Sequence, residues 1–348
     1  MPKETIQKGY DPSKVGVTTN NIFGLPFTPE DSSLVFIPVP WDVTTSSYAG
    51  TSKGPENILR ASYQIDVFAP AAPNAWQRGM AIEDIDAGLL ARNTNLRREA
   101  EAYIEFLEAG GDPGIDSNMM LKLKHINKVC ESVTLEIKEK SLARLNRNQI
   151  PFLVGGDHSI SSGLIEALAE KTHFGILQVD AHADLRNNYM GFSRSHASVM
   201  HRALKIQGVQ KIVQVGIREV CPEEQTVIDQ NPQKINTFFD HNIQYDLFNG
   251  AKWDEICNQI IRDLPDKVYI TFDVDGLEPS CCPGTGTPVP GGLTYNQAVY
   301  LIEKVIQGNK QIVGADLVET GPSTIDGIVS CRLLFQMASM ILKSNQTR

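Results

Sequence analysis

The sequence predicts an α/β protein built on one doubly wound, mostly parallel sheet, and three observations carry that reading. Seven short apolar runs recur along the chain: LVFIPVP (34–40), IPFLVGG (150–156), FGILQVDAH (174–182), KIVQVGIRE (211–219), KINTFFD (234–240), VYITFDVD (268–275) and IVGADLVE (312–319). Each is rich in Val, Ile and Phe and apolar on both faces, the pattern of parallel strands covered by helices. Helical periodicity falls between the runs, over 54–66, 118–147, 159–170, 196–207, 252–264, 294–307 and 327–344. Strand then helix, repeated, makes a doubly wound sheet.

Two stretches stand outside this alternation. Residues 1–30 are polar with scattered Gly and Pro and no periodicity, so they are expected as an N-terminal extension that wraps the outside of the domain. Residues 70–117 carry Pro and Gly clusters at AAPNA and GGDPG around an acidic EDIDAG. This stretch is expected as an irregular insertion within a single catalytic domain, 31–348, and not as a second domain.

The 348 residues hold 32 Lys+Arg against 41 Asp+Glu, a formal net charge of −9, with 41% apolar and 21% charged residues. That composition excludes disorder, collagen and coiled coil. Sequence-independent binding of polyanions needs clustered basic residues, and no long basic run appears, so nucleic acid is not an expected partner. Six cysteines without a CxxC spacing fit a reducing compartment. The N-terminus lacks an apolar signal core, and nowhere do eighteen apolar residues run together. A cytoplasmic location without membrane contact is the resulting expectation.

Open parallel sheets place functional loops at the carboxyl ends of their strands. Here those ends read Gly155-Gly156-Asp157-His158-Ser159, Asp180-Ala181-His182-Ala183-Asp184, Asp273-Val274-Asp275 and Asp316-Leu317-Val318-Glu319. Residues two apart in extended chain face the same way, roughly 6–7 Å from each other. Asp180, His182 and Asp184 can therefore converge on one pocket, as can Asp273 and Asp275. Burial would drive four crowded carboxylates to protonate unless cations were present. Two divalent ions balance the four charges and leave His158 and His182 as neutral ligands. Carboxylate-rich sites with imidazole and no thiolate suit Mn²⁺ first, with Fe²⁺, Co²⁺ or Ni²⁺ as alternatives. Coordination lowers the pKa of water by many units, so metal-assisted hydrolysis is the implied reaction class.

GGDHS (155–159), DAHAD (180–184), SHAS (195–198), TFDVDGLEPSCCPGTGTPVPGG (271–292) and DLVET (316–320), with a weaker PVPWDVTTSSYAG block from 38, together resemble the ureohydrolase family, which includes arginase and agmatinase. The resemblance implies a three-layer α/β/α fold with about eight strands. It implies one metal held by His158, Asp180, Asp184 and Asp273 and a second held by Asp180, His182, Asp273 and Asp275, with Asp180 and Asp273 bridging. It further implies that Glu319 binds a substrate guanidinium and that His196 shuttles a proton to the leaving amine. The reaction expected is hydrolysis of a guanidino compound from arginine or polyamine metabolism to urea plus an amine. Agmatinase comes first, with arginase, guanidinoacid hydrolase, guanidine hydrolase and formimidoylglutamase as alternatives. A homo-oligomer, trimer or hexamer, is implied as well.

Departures fall away from the ligands. Glu278 stands where many relatives have Asp, and Cys281-Cys282 replace residues that are more often apolar or small. The loop at 185–195, LRNNYMGFSRS, matches neither the typical animal arginase loop nor the typical bacterial agmatinase loop. Arg186, two residues past a ligand, can face the pocket and oppose a cationic substrate tail, or turn outward. Asp157 or Ser159 can cap the helix at 159–170, and His125, His173, His201 and His241 have no partner motif. Adjacent Cys281 and Cys282 cannot form an unstrained disulfide. A binuclear metallophosphatase and a catalytically silent, ureohydrolase-like binding protein are the rival readings from other classes.

Overall fold

A computed structural model describes residues 10–346. Its centre is an eight-stranded, wholly parallel sheet in the order β2-β1-β3-β8-β7-β4-β5-β6. The strands are β1 (Leu34–Pro38), β2 (Met80–Ile82), β3 (Ile150–Val154), β4 (Phe174–Val179), β5 (Val209–Ile217), β6 (Ile235–Phe239), β7 (Lys267–Asp273) and β8 (Gln311–Val318). Seven of them coincide with the seven apolar runs. Alternate residues of each strand feed two cores. Phe36, Phe152, Leu177, Val213, Ile270 and Leu317 pack on one face, and Ile37, Leu153, Ile176, Ile212, Tyr269 and Val318 on the other. Both faces are covered, which is why polar alternation is missing from the strand sequences.

The helices are α1 (Gly54–Ser62), α2 (Ala87–Glu108), α3 (Ser117–Leu145), α4 (Ser161–Ala169), α5 (Val199–Ala203), α6 (Pro222–Gln230), α7 (Asp240–Phe248), α8 (Trp253–Arg262), α9 (Tyr295–Gln307) and α10 (Thr324–Ser344). Local sequence accounts for their starts. Asp86 accepts the Leu89 N–H at the head of α2, and Thr294 and Gln297 form a reciprocal capping box on α9. Helix α8 buries Ile256, Cys257, Ile260 and Ile261 along one stripe. Helix α10 is long and apolar enough to cross a membrane by length and composition, but most of its apolar stretch is buried inside the protein.

Three expectations change. The stretch 70–117 is not irregular throughout, because it holds β2 and the 22-residue α2. Leu89, Asn93, Leu96, Ala100, Tyr103 and Ile104 are buried at helical spacing there, a stripe masked by the flanking Pro and Gly clusters. Of the stretch expected to wrap the outside, the described residues 10–30 do not simply do so. Ile22, Phe23, Leu25 and Phe27 are buried in the core, and Phe23 meets Phe36 and Phe335 edge to face at 5.8 and 5.1 Å. The apolar island IFGLPF is too short to register in a polar average, and residues 1–9 lie outside the described part. Finally, α6 and α7 were not expected. They bury only Glu224 and only Asp240 and Ile243, respectively, so they lack the apolar stripe by which a helix announces itself. All six cysteines carry free thiols.

Candidate active site

The four central strands, β3, β8, β7 and β4, are neighbours, and their carboxyl ends bring the acidic motifs to one rim. His158 follows β3, Asp180 follows β4, Asp273 ends β7 and Glu319 follows β8. The turn after β3 is built by Gly155 and Gly156, with φ of +73° and +82°. A Cβ on Gly156 would lie 2.5 Å from the Val39 carbonyl oxygen, so only glycine admits this backbone path. Asp157 then accepts the Ser159 N–H at 3.0 Å, which turns the chain into the helix and leaves His158 facing the rim.

His158 is buried, and its Nδ1 lies 3.0 Å from Asp180 Oδ2, 2.9 Å from Asp184 Oδ2 and 3.5 Å from Asp273 Oδ2. His182 Nδ1 lies 3.0 Å from Asp275 Oδ2 and 3.6 Å from Asp180 Oδ1. Backbone N–H groups fix the carboxylates: Ala181 donates to Asp275 Oδ1 at 3.0 Å, His182 to Asp180 Oδ1 at 2.6 Å and Asp275 to Asp273 Oδ1 at 2.9 Å. Asp184 adopts φ of +55° and Glu319 φ of +60°. Non-glycine residues in this region carry strain of roughly 1–3 kcal/mol each and cluster at functional sites.

The electrostatics are those of an overcrowded anionic pocket. Burial, then repulsion from Asp275 and Asp180, pushes the Asp273 carboxyl well up. Burial, then the Asp180 charge, raises Asp184 to about 7. Burial works against the charged form of both imidazoles, yet the surrounding carboxylates carry His158 and His182 well above the usual histidine value.

The donor set fits divalent cations. His158, Asp180 and Asp273 offer ligand atoms within 4.8 Å of one another, and so do Asp180, His182 and Asp275, with Asp180 common to both groups. His158 Nδ1 and the Oδ2 atoms of Asp180 and Asp184 converge at 2.9–3.0 Å, and this buried set of one imidazole nitrogen and carboxylate oxygens is the donor chemistry that suits a divalent transition cation.

Glu319 sits beside this cluster. Its Oε1 accepts the His158 N–H at 2.9 Å, whereas Oε2 is buried without a partner. Burial raises its carboxyl to about 8. His196 Nδ1 lies 3.7 Å from Glu319 Oε1, and Ser46 Oγ lies 3.4 Å from His196 Nε2. Arg186 lines the adjoining cavity of about 250 Å³. Its guanidinium stacks 4.6 Å above the Tyr189 ring and its Nε lies 3.8 Å from Glu224 Oε2. The cavity wall also carries exposed Glu219.

All nine residues singled out in the sequence thus come to one rim and its adjoining cavity. Sequence reasoning missed Ser46, Glu224 and Glu219 as lining groups. It also missed Asp42, which accepts the Gly50 and Ser52 N–H groups and the Asn93 side chain and so holds the 42–52 loop over the site. The signal for Asp42 lay in the PVPWDVTTSSYAG block, but its partner Asn93 is on α2, inside the stretch expected to be irregular.

The fold and the rim are those of a metal-dependent hydrolase of the α/β class. A sequence model of the arginase family matches residues 32–340, and the chain belongs to that family. It is 32% identical to N(1)-aminopropylagmatine ureohydrolase of Thermus thermophilus over 305 residues, 87% of each chain. It is 26% identical to agmatinase of Bacillus subtilis, covering 84% of this chain and 85% of that one. The crystal structure of agmatine ureohydrolase of Thermoplasma volcanium superposes with a TM-score of 0.70 over 99% of both chains at 24% identity, a likeness of fold.

Proposed function

We propose that this protein hydrolyses the guanidino C–N bond of an agmatine-like substrate, one with a cationic tail, to urea and an amine. The observation that carries the reading is the pair of His/Asp groups sharing Asp180 beside the unpaired Glu319 Oε2. His158, Asp180, Asp184 and Asp273 would hold one divalent ion and Asp180, His182, Asp273 and Asp275 the other, Mn²⁺ by donor chemistry. When bound, two such ions supply neutralising charge and make water at the site nucleophilic near neutral pH.

The protein's own groups do the rest. A guanidinium spreads its charge by resonance and is a poor electrophile, so it has to be oriented. Glu319 Oε2 is the free acceptor that does so through charge-assisted hydrogen bonds. His196, held between Ser46 and Glu319, delivers a proton to the departing nitrogen. The tail extends into the cavity of Arg186, Tyr189, Glu219 and Glu224. Two carboxylates against one guanidinium leave that wall net negative, and Glu224 and Tyr189 already engage Arg186, which favours an ammonium tail over a carboxylate one. The names of the Thermus thermophilus and Bacillus subtilis relatives agree with this preference, whereas a human relative 27% identical over 94% of this chain is named a guanidino acid hydrolase. A homo-oligomer of trimer or hexamer type in the cytoplasm belongs to the same reading.

The test incubates Mn²⁺-loaded protein with agmatine, N(1)-aminopropylagmatine, arginine, 4-guanidinobutyrate and guanidine and assays urea. Release from the two amine-tailed compounds, at higher kcat/KM than from the two carboxylate-bearing ones, is expected. Urea from none of the five would refute the activity, and preference for 4-guanidinobutyrate would refute the tail assignment.

A further inference from the structure

The cavity wall takes Ser46 from the 42–52 loop, and that loop is held from behind by helix α2. Arg97 of α2 is buried. Its Nε reaches the half-exposed Glu101 one turn on, at 3.1 Å. Its Nη1 donates instead to the loop: to the Val43 carbonyl at 3.1 Å, the Thr45 carbonyl at 2.5 Å and the Thr45 hydroxyl oxygen at 3.5 Å. The Thr45 hydroxyl gives its single proton to the Asp42 carbonyl, so toward Arg97 it can only accept. One turn before, Asn93 grips Asp42 twice. Its Oδ1 accepts the Asp42 N–H at 2.7 Å and its Nδ2 donates to Asp42 Oδ1 at 2.8 Å, while Asp42 Oδ2 takes the Gly50 and Ser52 N–H groups at the far end of the loop.

These bonds divide the loop in two. Residues 42–45 are buried and 47–49 are exposed, and Ser46 is the first side chain past the clamp. The Thr45 carbonyl lies in the peptide plane that ends at the Ser46 Cα, so fixing its direction fixes where the Ser46 hydroxyl can reach. That hydroxyl lies 3.4 Å from His196 Nε2, and Nδ1, across the ring, lies 3.7 Å from Glu319 Oε1. An imidazole held at one nitrogen keeps the other aimed at the place where the guanidinium binds. Released there, it is free to turn about its side-chain torsions.

We propose that Arg97, acting through the Thr45 carbonyl and Ser46, is a positioning residue for His196, so that helix α2 serves the proton-delivery step without reaching the site. The proposal rests on the reading of His196 as the proton donor, and it adds the device that keeps that ring in place. Displacing a reacting group by about 1 Å from a remote position can cost about 10²-fold in rate.

The experiment measures urea release from agmatine by the Mn²⁺-loaded full chain carrying Arg97→Met, which keeps the aliphatic stem and removes the N–H groups, Ser46→Ala, or both. Each single variant is expected to lower kcat about 10–100-fold with KM within about threefold of the parent, and to retain two ions per chain by metal analysis. The double variant is expected to fall no more than about threefold below the slower single one, because groups that act as a unit are not additive. A merely structural role for Arg97 would multiply the two losses. If the Met variant fails to fold, Arg97→Gln, which stays polar but is too short to hold both carbonyls, enters the same comparison. An Arg97 variant with kcat within about threefold of the parent, or losses that multiply in the double variant, overturns the clamp. His196→Ala separates the two levels: a parent-like kcat there overturns proton delivery and the clamp together, whereas a large loss there beside a parent-like Arg97 variant overturns the clamp alone.

Discussion

Asp273 is where the residue-scale reading is most exposed to test, because it belongs to the His158 group, with Oδ2 3.5 Å from the imidazole Nδ1, and its carboxyl is raised by burial and by Asp275 and Asp180 together. Asp273→Asn removes one of the charges that the cations balance. The variant should retain fewer than two ions per chain by metal analysis and release urea at least about 10²-fold more slowly. A wild-type rate would show that the ligand set is wrong. The acids and histidines of this rim were legible in the sequence because a period of two in extended chain places DAHAD and DVD on one side regardless of the rest of the fold. Ser46 was not, since a hydroxyl acquires a role only from what lies across the cleft from it. Arg186 lay between these cases. Its position two residues past Asp184 pointed to the cavity, but the Tyr189 and Glu224 contacts that quench its charge come from the loop's own curl and from the first turn of α6.

The turn between β3 and α4 governs the site at the scale of an element. Gly156 has φ of +82°, and a side chain there would meet the Val39 and Trp41 carbonyl oxygens at 2.5 and 2.6 Å. Neither oxygen belongs to a flexible side chain. Gly156→Ala should therefore destabilise by about 2–4 kcal/mol, combining a wrong φ with a backbone clash. A lowered urea midpoint at unchanged m-value would record it, and an unchanged midpoint would contradict the geometry. Elements with two-sided burial or a clear stripe, such as β4, β7 and α8, could be placed from their residues alone. β2 could not, since MAI is three residues long and becomes a strand only because β1 and the Asn21 side chain hold it: Asn21 Oδ1 accepts the Ile82 N–H at 2.6 Å. Helices α6 and α7 escaped for the complementary reason, that surface helices with one or two buried residues carry no periodic signal.

Taken whole, the molecule gathers five buried carboxyl groups, those of Asp180, Asp184, Asp273, Asp275 and Glu319, at one rim, an arrangement that bound cations stabilise. Binding that favours only the folded state stabilises by about 2.7 kcal/mol at a hundredfold excess over Kd for one site. For a chain of this size that corresponds to a rise of several degrees in Tm. Thermal unfolding with Mn²⁺ should lie above that with EDTA by at least this much, and coincident curves would mean that no ion is held. The outline of the whole, one parallel sheet with its chemistry at one end, followed from the strand–helix alternation, whereas the burial of 22–27 and the reach of α2 to Asp42 depend on contacts between distant segments. Those distances along the chain bear on assembly. The donors are drawn from positions 158 to 275, on strands whose lateral neighbours are far away in sequence, and parallel pairing of that kind is slow because loop closure precedes any reward. No local fragment of this polypeptide contains all the ligands of either ion-binding group, so a cation meets its full donor set only after β4 and β7 have paired.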